Sequence, residues 1–137
     1  MKTFNKITLM GLVGKDAESI TKGTTQFVQF SVSVDNSYKK KDGSWENRSD
    51  WFQVSTAFEN LMEKALELKS GDFVRIEGKM TSNKKADQSG KEITYWNVQP
   101  SEIDVILTKS ERDTLKGGQA NAYDDLPAGN SFADDLP

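Results

Sequence analysis

Between positions 38 and 51 the sequence interleaves Tyr38, Trp45 and Trp51 with Lys39, Lys40, Lys41 and Arg48. Flat aromatic rings and cations at this density suit one kind of ligand, an unpaired nucleic-acid strand. Its bases stack on the rings, each for about 1–3 kcal/mol, while ammonium and guanidinium groups track its phosphates. Trp51 opens a β-rich run whose alternate residues Gln53 and Ser55 are polar, so its ring is expected on a wet strand face, with Gln53 beside it. Trp45 stands among Gly43, Ser44, Glu46 and Asn47, where a barrel offers it no core. The competing reading makes both tryptophans core residues above an ordinary solvated lysine loop. Lys84 and Lys85 lie in a second polar stretch and by themselves read as surface lysines, but opposite the first cluster they would form the other wall of a groove. Lys6, Lys15, Arg75 and Lys79 have no local feature that raises them above background.

Much other chemistry is excluded by composition. The chain has no cysteine and no histidine, which removes disulfides, the usual zinc sites, and thiol or imidazole catalysis. Asp16, Glu18, Asp35, Asp42 and Asp50 are scattered through polar sequence and read as solvated charge, so neither a metal nor another cofactor is expected, and no enzyme activity. The net charge of −3 conceals an asymmetry. Residues 1–110 carry 16 Lys and Arg against 15 Asp and Glu, whereas residues 111–137 carry 2 against 6. The acidity belongs to the tail, and a nucleic-acid surface on the body is compatible with it.

The elements that must position these residues follow from periodicity. Lys6–Val13, with Ile7, Leu9 and Leu12, and Phe27–Val34, with Phe30, Val32 and Val34 on one face, read as half-buried strands. Phe27 opposes Phe30 in parity, so one of the two leaves the core. A third strand, Trp51–Phe58, offers Phe52, Val54, Thr56 and Phe58 as its core face, and Asp42-Gly43 marks the turn before it. Leu61, Met62, Ala65, Leu66 and Leu68 then form a helical stripe of about three turns, with Asn60 and Glu63 as a capping pair and Gly71 as its stop. Strands at Phe73–Met80 and Glu92–Leu107 follow, the second interrupted near Pro100 and containing adjacent Tyr95 and Trp96, one of which should be core. Ser82–Gly90 between them suits a long hairpin tip. Three strands, a helix and two strands make a mainly β chain, a five-stranded OB-fold barrel with one helix between strands 3 and 4, an architecture that binds oligonucleotides.

After Thr108 the apolar pattern stops. Lys116–Ala122 has a linker composition, and a short repeat follows: Tyr123, Asp124, Asp125, Leu126 and Pro127, then Phe132, Ala133, Asp134, Asp135, Leu136 and Pro137. Two regions are therefore expected, an OB domain over 1–110 and, over 111–137, a flexible linker and acidic protein-interaction tail without regular structure.

Asn5–Gly11, Ser49–Val54, Ile76–Lys79 and Asp87–Lys91 follow one another in the order and spacing of bacterial-type single-stranded DNA-binding proteins, and the chain resembles that family over residues 4–107 and again at its tail. The resemblance implies a homo-oligomer, a tetramer in preference to a dimer, that coats single-stranded DNA in replication, recombination and repair. It places stacking aromatics at Tyr38 and Trp51, and at the tail a site for partner proteins made by Asp124, Asp125, Leu126, Pro127, Phe132, Asp134, Asp135, Leu136 and Pro137. DNA ranks above RNA on this resemblance alone. The chain departs from the family pattern in three places. Lys84-Lys85-Ala86 replaces a third aromatic. A fourth falls on Ala57, unless a bulge brings Phe58 into its place. Where the family tip has a terminal phenylalanine the sequence ends at Pro137, so either a residue is missing or Tyr123 and Phe132 substitute. The short linker suggests a phage-encoded or divergent member.

The function expected is sequence-tolerant binding and protection of single-stranded DNA, with partner recruitment by the tail. An OB scaffold with incidental DNA contact is the alternative, and a magnesium nuclease the remote one. With no long apolar run and no signal-peptide plan, the expectation is a protein without membrane contact, cytoplasmic and nucleoid-associated, or in the host cytoplasm if phage-encoded.

Overall fold

The computed structural model describes the backbone of residues 1–124 and the side chains of residues 1–116. The tail residues from Asp125 to Pro137, and the side chain of Asp124, lie outside the described residues. Five long strands dominate: β1 (Ile7–Val13), β3 (Thr25–Asp35), β6 (Ser49–Thr56), β7 (Phe73–Ala86) and β8 (Glu92–Leu107). Three short ones decorate them: β2 (Glu18–Lys22), β4 (Tyr38–Lys39) and β5 (Trp45–Glu46). The main sheet runs β1-β7-β8-β6-β3-β2, and β1 also pairs with β3, which joins the five long strands in a ring. Two seams of the ring are narrow. One parallel pair, Val54 with Val98, joins β6 to β8, and two pairs, Leu12 with Ser33 and Val13 with Val32, join β1 to β3. At the second seam Gly11 must lack a side chain, because a Cβ there would overlap the Ser33 carbonyl.

The core follows the alternation. Leu9 and Val13 from β1, Val28, Phe30 and Val32 from β3, Val54 from β6, Val74 and Ile76 from β7, and Val98 and Ile103 from β8 are buried together. Phe52 packs against them and Thr56 is buried, as strand parity requires. Phe58 departs from the expected core face. It caps the N-terminus of α1 (Glu59–Leu66), where the strand has ended, and it is exposed. The helix has eight residues, about two turns rather than three. The Asn60–Glu63 pair does not cap it, since helical residues already begin at Glu59 and no side chain bonds the N-terminus. Ala65 and Leu68 are buried and Leu61 and Met62 pack on the core, but Leu66 faces solvent.

Pro100 does not interrupt β8. The register slips there, Glu77 facing Glu102 and Gly78 facing Pro100, and this bulge leaves Ser101 without an opposite residue. A bulge accommodates a residue with no N–H to give the ladder. The polar stretch after Met80 is also mostly strand, with pairing that continues to Ala86 opposite Glu92. Only the tip turns, where Asp87 Oδ1 accepts from the Ser89 and Lys91 amides, both at 2.9 Å.

The stretch after Thr108 corrects the expectation of no regular structure: α2 spans Lys109–Asp124. Its start is a capping box. Thr108 Oγ1 accepts from the Glu111 amide at 3.1 Å, and the Glu111 carboxylate reaches back to the Thr108 hydroxyl at 3.0 Å. Buried Asp72 accepts from the amides of Lys69 and Lys109, both at 2.9 Å, and the Arg112 guanidinium donates to the Gly71 carbonyl. These bonds dock the start of the helix. Thr108-Lys109-Ser110-Glu111 was the sequence signal for it.

Candidate nucleic-acid interface

The outward faces of β3 and β6 make a polar floor. Their register sets Gln29 opposite Ser55, Ser31 opposite Gln53 and Ser33 opposite Trp51. Each of these alternates with a core residue, so burial of Val54 and Thr56 fixes Gln53 and Ser55 outward. From β8, Asn97 Nδ2 donates to Ser55 Oγ at 2.7 Å and joins the third strand to the floor. Trp51 is 62% exposed at one end of this surface, with its indole over Gly14. A large ring held open to water on an otherwise polar face is available to a base.

The hairpin of β4 and β5 rises beside it. Asp35 Oδ1 accepts from the Ser37 amide at 2.9 Å and hydroxyl at 2.6 Å, and Ser37 Oγ in turn accepts from the Arg48 amide at 3.2 Å, which closes the base of the hairpin. At the tip Asp42 and Ser44 repeat this turn, and Gly43 takes the positive φ of 91° that the turn needs. Hydrogen bonds from the two serines hold the Asp35 and Asp42 carboxyls below their ordinary pKa, as Ser89 does for Asp87. Tyr38 pairs with Glu46 and Lys39 with Trp45, so Tyr38 and Trp45 lie on opposite faces of this ribbon. Both rings are exposed, but they cannot line one side of it together. Lys40 is drawn to Glu46 at 3.0 Å and Arg48 to Asp50 at 4.0 Å, whereas the Lys41 side chain stands in solvent at the tip.

At the other end, the hairpins β2–β3 and β7–β8 enclose a groove of about 780 Å³ over the same floor. Lys84 and Lys85 line it, opposite the β2–β3 hairpin rather than the residue 38–51 cluster they were expected to face. Phe27, Lys22, Tyr95 and Trp96 line it too. Phe27 resolves the parity question, since Phe30 is the buried partner. Neither Tyr95 nor Trp96 is core, contrary to expectation; they are 51% and 61% exposed. The barrel ends near Val98, and beyond it both faces of the β7–β8 hairpin are wet. Ser82 and Lys84, at core parity but polar, were the signal for this. Lys22 comes from β2, a strand with a single apolar residue that alternation could not reveal. It shares the groove with Lys85, whose nearness pushes the Lys22 pKa below the ordinary lysine value.

No aromatic side chain occupies the place of Ala57. The β3–β6 ladder runs to Val28 opposite Thr56 without a shift, so no bulge turns Phe58 onto the floor. Phe58 instead borders a separate cavity of about 590 Å³ with Phe4, Leu61 and Pro100. Lys6 and Arg75 are committed to Glu77, and Arg75 also approaches Glu102 and Asp104. Among the described residues no three acidic side chains converge as a metal site would need, and no helix is long and apolar enough to cross a membrane.

Comparison with known proteins places this geometry in context. Residues 4–106 match the Single-strand binding protein family. A mitochondrial single-stranded DNA-binding protein of Drosophila melanogaster is 35% identical over 98 residues, 71% of this chain and 67% of the relative. Single-stranded DNA-binding protein 1 of Xylella fastidiosa is 30% identical over 131 residues, 93% of this chain and 94% of its own. Among solved structures, the fold resembles that of Plasmodium falciparum SSB in complex with ssDNA, with a TM-score of 0.65 and 20% identity over 78% of this chain and 97% of that one. It also resembles Rim1, a mitochondrial single-stranded DNA-binding protein of S. cerevisiae, with a TM-score of 0.60 and 14% identity over 78% and 99% of the two chains. With a barrel of the OB type, an open aromatic on its floor and a family match across that whole barrel, the chain belongs to the single-strand binding protein family.

Proposed function

We propose that this protein binds single-stranded DNA with little sequence preference and without catalysis, protecting it during replication, recombination and repair. The observation that carries the proposal is Trp51, an exposed indole at the head of a polar sheet face flanked by lysine-bearing hairpins. Tyr38 and Trp51 are the stacking residues, with Trp45 serving a strand that passes over the outer face of the β4–β5 ribbon. Lys39, Lys40, Lys41, Arg48, Lys84 and Lys85 supply the phosphate path, and Gln53 hydrogen-bonds passing bases. The polar floor suits any base, because stacking uses the π-face that all bases share.

Within the same proposal the acidic tail, from Asp124 through Pro137, recruits replication and repair proteins, and copies of the chain assemble as a homo-oligomer, a tetramer before a dimer. Exposed Phe4 and Phe58 around their cavity are apolar surface suited to such assembly. The test is tryptophan fluorescence during titration with oligo-dT across a salt series. Quenching is expected, with affinity falling as salt rises by about 0.7 logarithmic units per logarithmic unit of salt for each phosphate neutralised. Absence of both quenching and binding at low salt would transfer the function to a protein scaffold, which should also survive alanine at Tyr38 and Trp51.

A further inference from the structure

The groove between the β2–β3 and β7–β8 hairpins holds an arrangement built from three strands. Lys22 at the end of β2 and Lys85 near the end of β7 line it together, from hairpins that are remote in sequence. Two ammonium groups facing one groove repel one another unless an anion lies between them, and the nearness of Lys85 also lowers the Lys22 pKa. Lys85 faces Ile93 across the β7–β8 ladder and Asn83 faces Tyr95, so Lys85 and Tyr95 are diagonal neighbours on one face of the hairpin. That face is the groove face, because Asn97, of the same parity as Tyr95, bonds Ser55 on the floor.

We infer that this end of the groove is a composite nucleotide subsite, in which Lys22 and Lys85 clamp one phosphate of the strand and the Tyr95 ring stacks the adjoining base. The inference rests on the single-stranded DNA reading above and adds residues to it. The sequence Lys84-Lys85-Ala86 has no ring to offer at the tip of β7, and the aromatic comes instead from the opposite strand. Ser55, bonded to Asn97, lies four residues along β6 from Trp51, and Tyr95 precedes Asn97 by two residues on the same face of β8. A strand long enough to span both ends should be held by both.

The experiment compares the full chain with Lys22→Ala/Lys85→Ala, Lys22→Arg/Lys85→Arg, Tyr95→Ala and Tyr95→Phe in binding to a long oligo-dT across a salt series. The double alanine variant is expected to reduce the salt slope by about 0.7, the single-strand value for one phosphate contact, and the double arginine variant to keep it. Tyr95→Ala is expected to weaken binding about tenfold and Tyr95→Phe to leave it unchanged. If the unsubstituted protein binds and quenches while both alanine variants match it in slope and affinity, the subsite is wrong and the reading built on Trp51 stands. If the unsubstituted protein does not bind, the DNA reading fails and takes this one with it.

Discussion

The six-membered ring of the Trp51 indole packs against Gly14, so that a β-carbon at position 14 would overlap Cζ3 of the ring and come within 2.7 Å of Ser31 Oγ. The bare glycine leaves the room that the ring occupies while most of the indole stays open to solvent. Gly14→Ala is therefore expected to displace the ring, shift its emission and weaken oligo-dT binding about tenfold, within the range for one stacked base. Thermal denaturation should change little, because the ring that must move is the exposed end of a side chain.

Trp51→Ala removes the same stack outright and is expected to cost about 1–3 kcal/mol of binding, whereas Trp51→Phe should retain much of it. Titration of each variant with oligo-dT checks this, and an alanine variant with full affinity would remove Trp51 from the site.

Gly78 is constrained by backbone. A Cβ there would overlap the Gln99 carbonyl and approach Pro100 Cα at 2.8 Å, where β7 crosses the bulge in β8. Gly78→Ala must push the two strands apart and is expected to lower stability by about 1–3 kcal/mol in denaturant unfolding. The folded fraction should bind DNA normally, since the damage lies away from the groove.

Asp72 joins the turn before β7 to the start of α2 through the Lys69 and Lys109 amides. Asp72→Ala leaves two backbone donors without their partner, at a cost of about 1–3 kcal/mol each where water cannot replace it. The expected outcome is early hydrogen exchange over α2, with the barrel amides still protected.

Acid should loosen the hairpins selectively. Asp35, Asp42 and Asp87 all have folded pKa values below the ordinary 3.8, because serine donors stabilise the carboxylate. Their contribution is present above the unfolded value and is lost as pH falls through the lower folded values. Below pH 3.8 the amides of Ser37, Ser44 and Ser89 are therefore expected to lose order, and NMR amide shifts during an acid titration would show it. Asparagine at the three positions should abolish the pH dependence of those shifts.

The positions of β1, β3 and β6, the outward placement of Trp51 and the turn at Asp42-Gly43 were legible in the residues themselves, whereas the second hairpin tip was read too long, as Ser82–Gly90. Each depends on local physics: a two-residue alternation that buries Phe30, Val32, Val54 and Thr56, or a glycine and an aspartate suited to a tight turn. The candidate site was legible only where its members lie on such elements. Barrel closure decided the rest. It set Lys22 against Lys85, carried Tyr95 and Trp96 past the rim of the core, separated Tyr38 from Trp45 by face, and turned Phe58 away from the floor. No window of sequence encodes those relationships, because they follow from which strands pair, in what register, and how far a hairpin extends beyond the layer it covers.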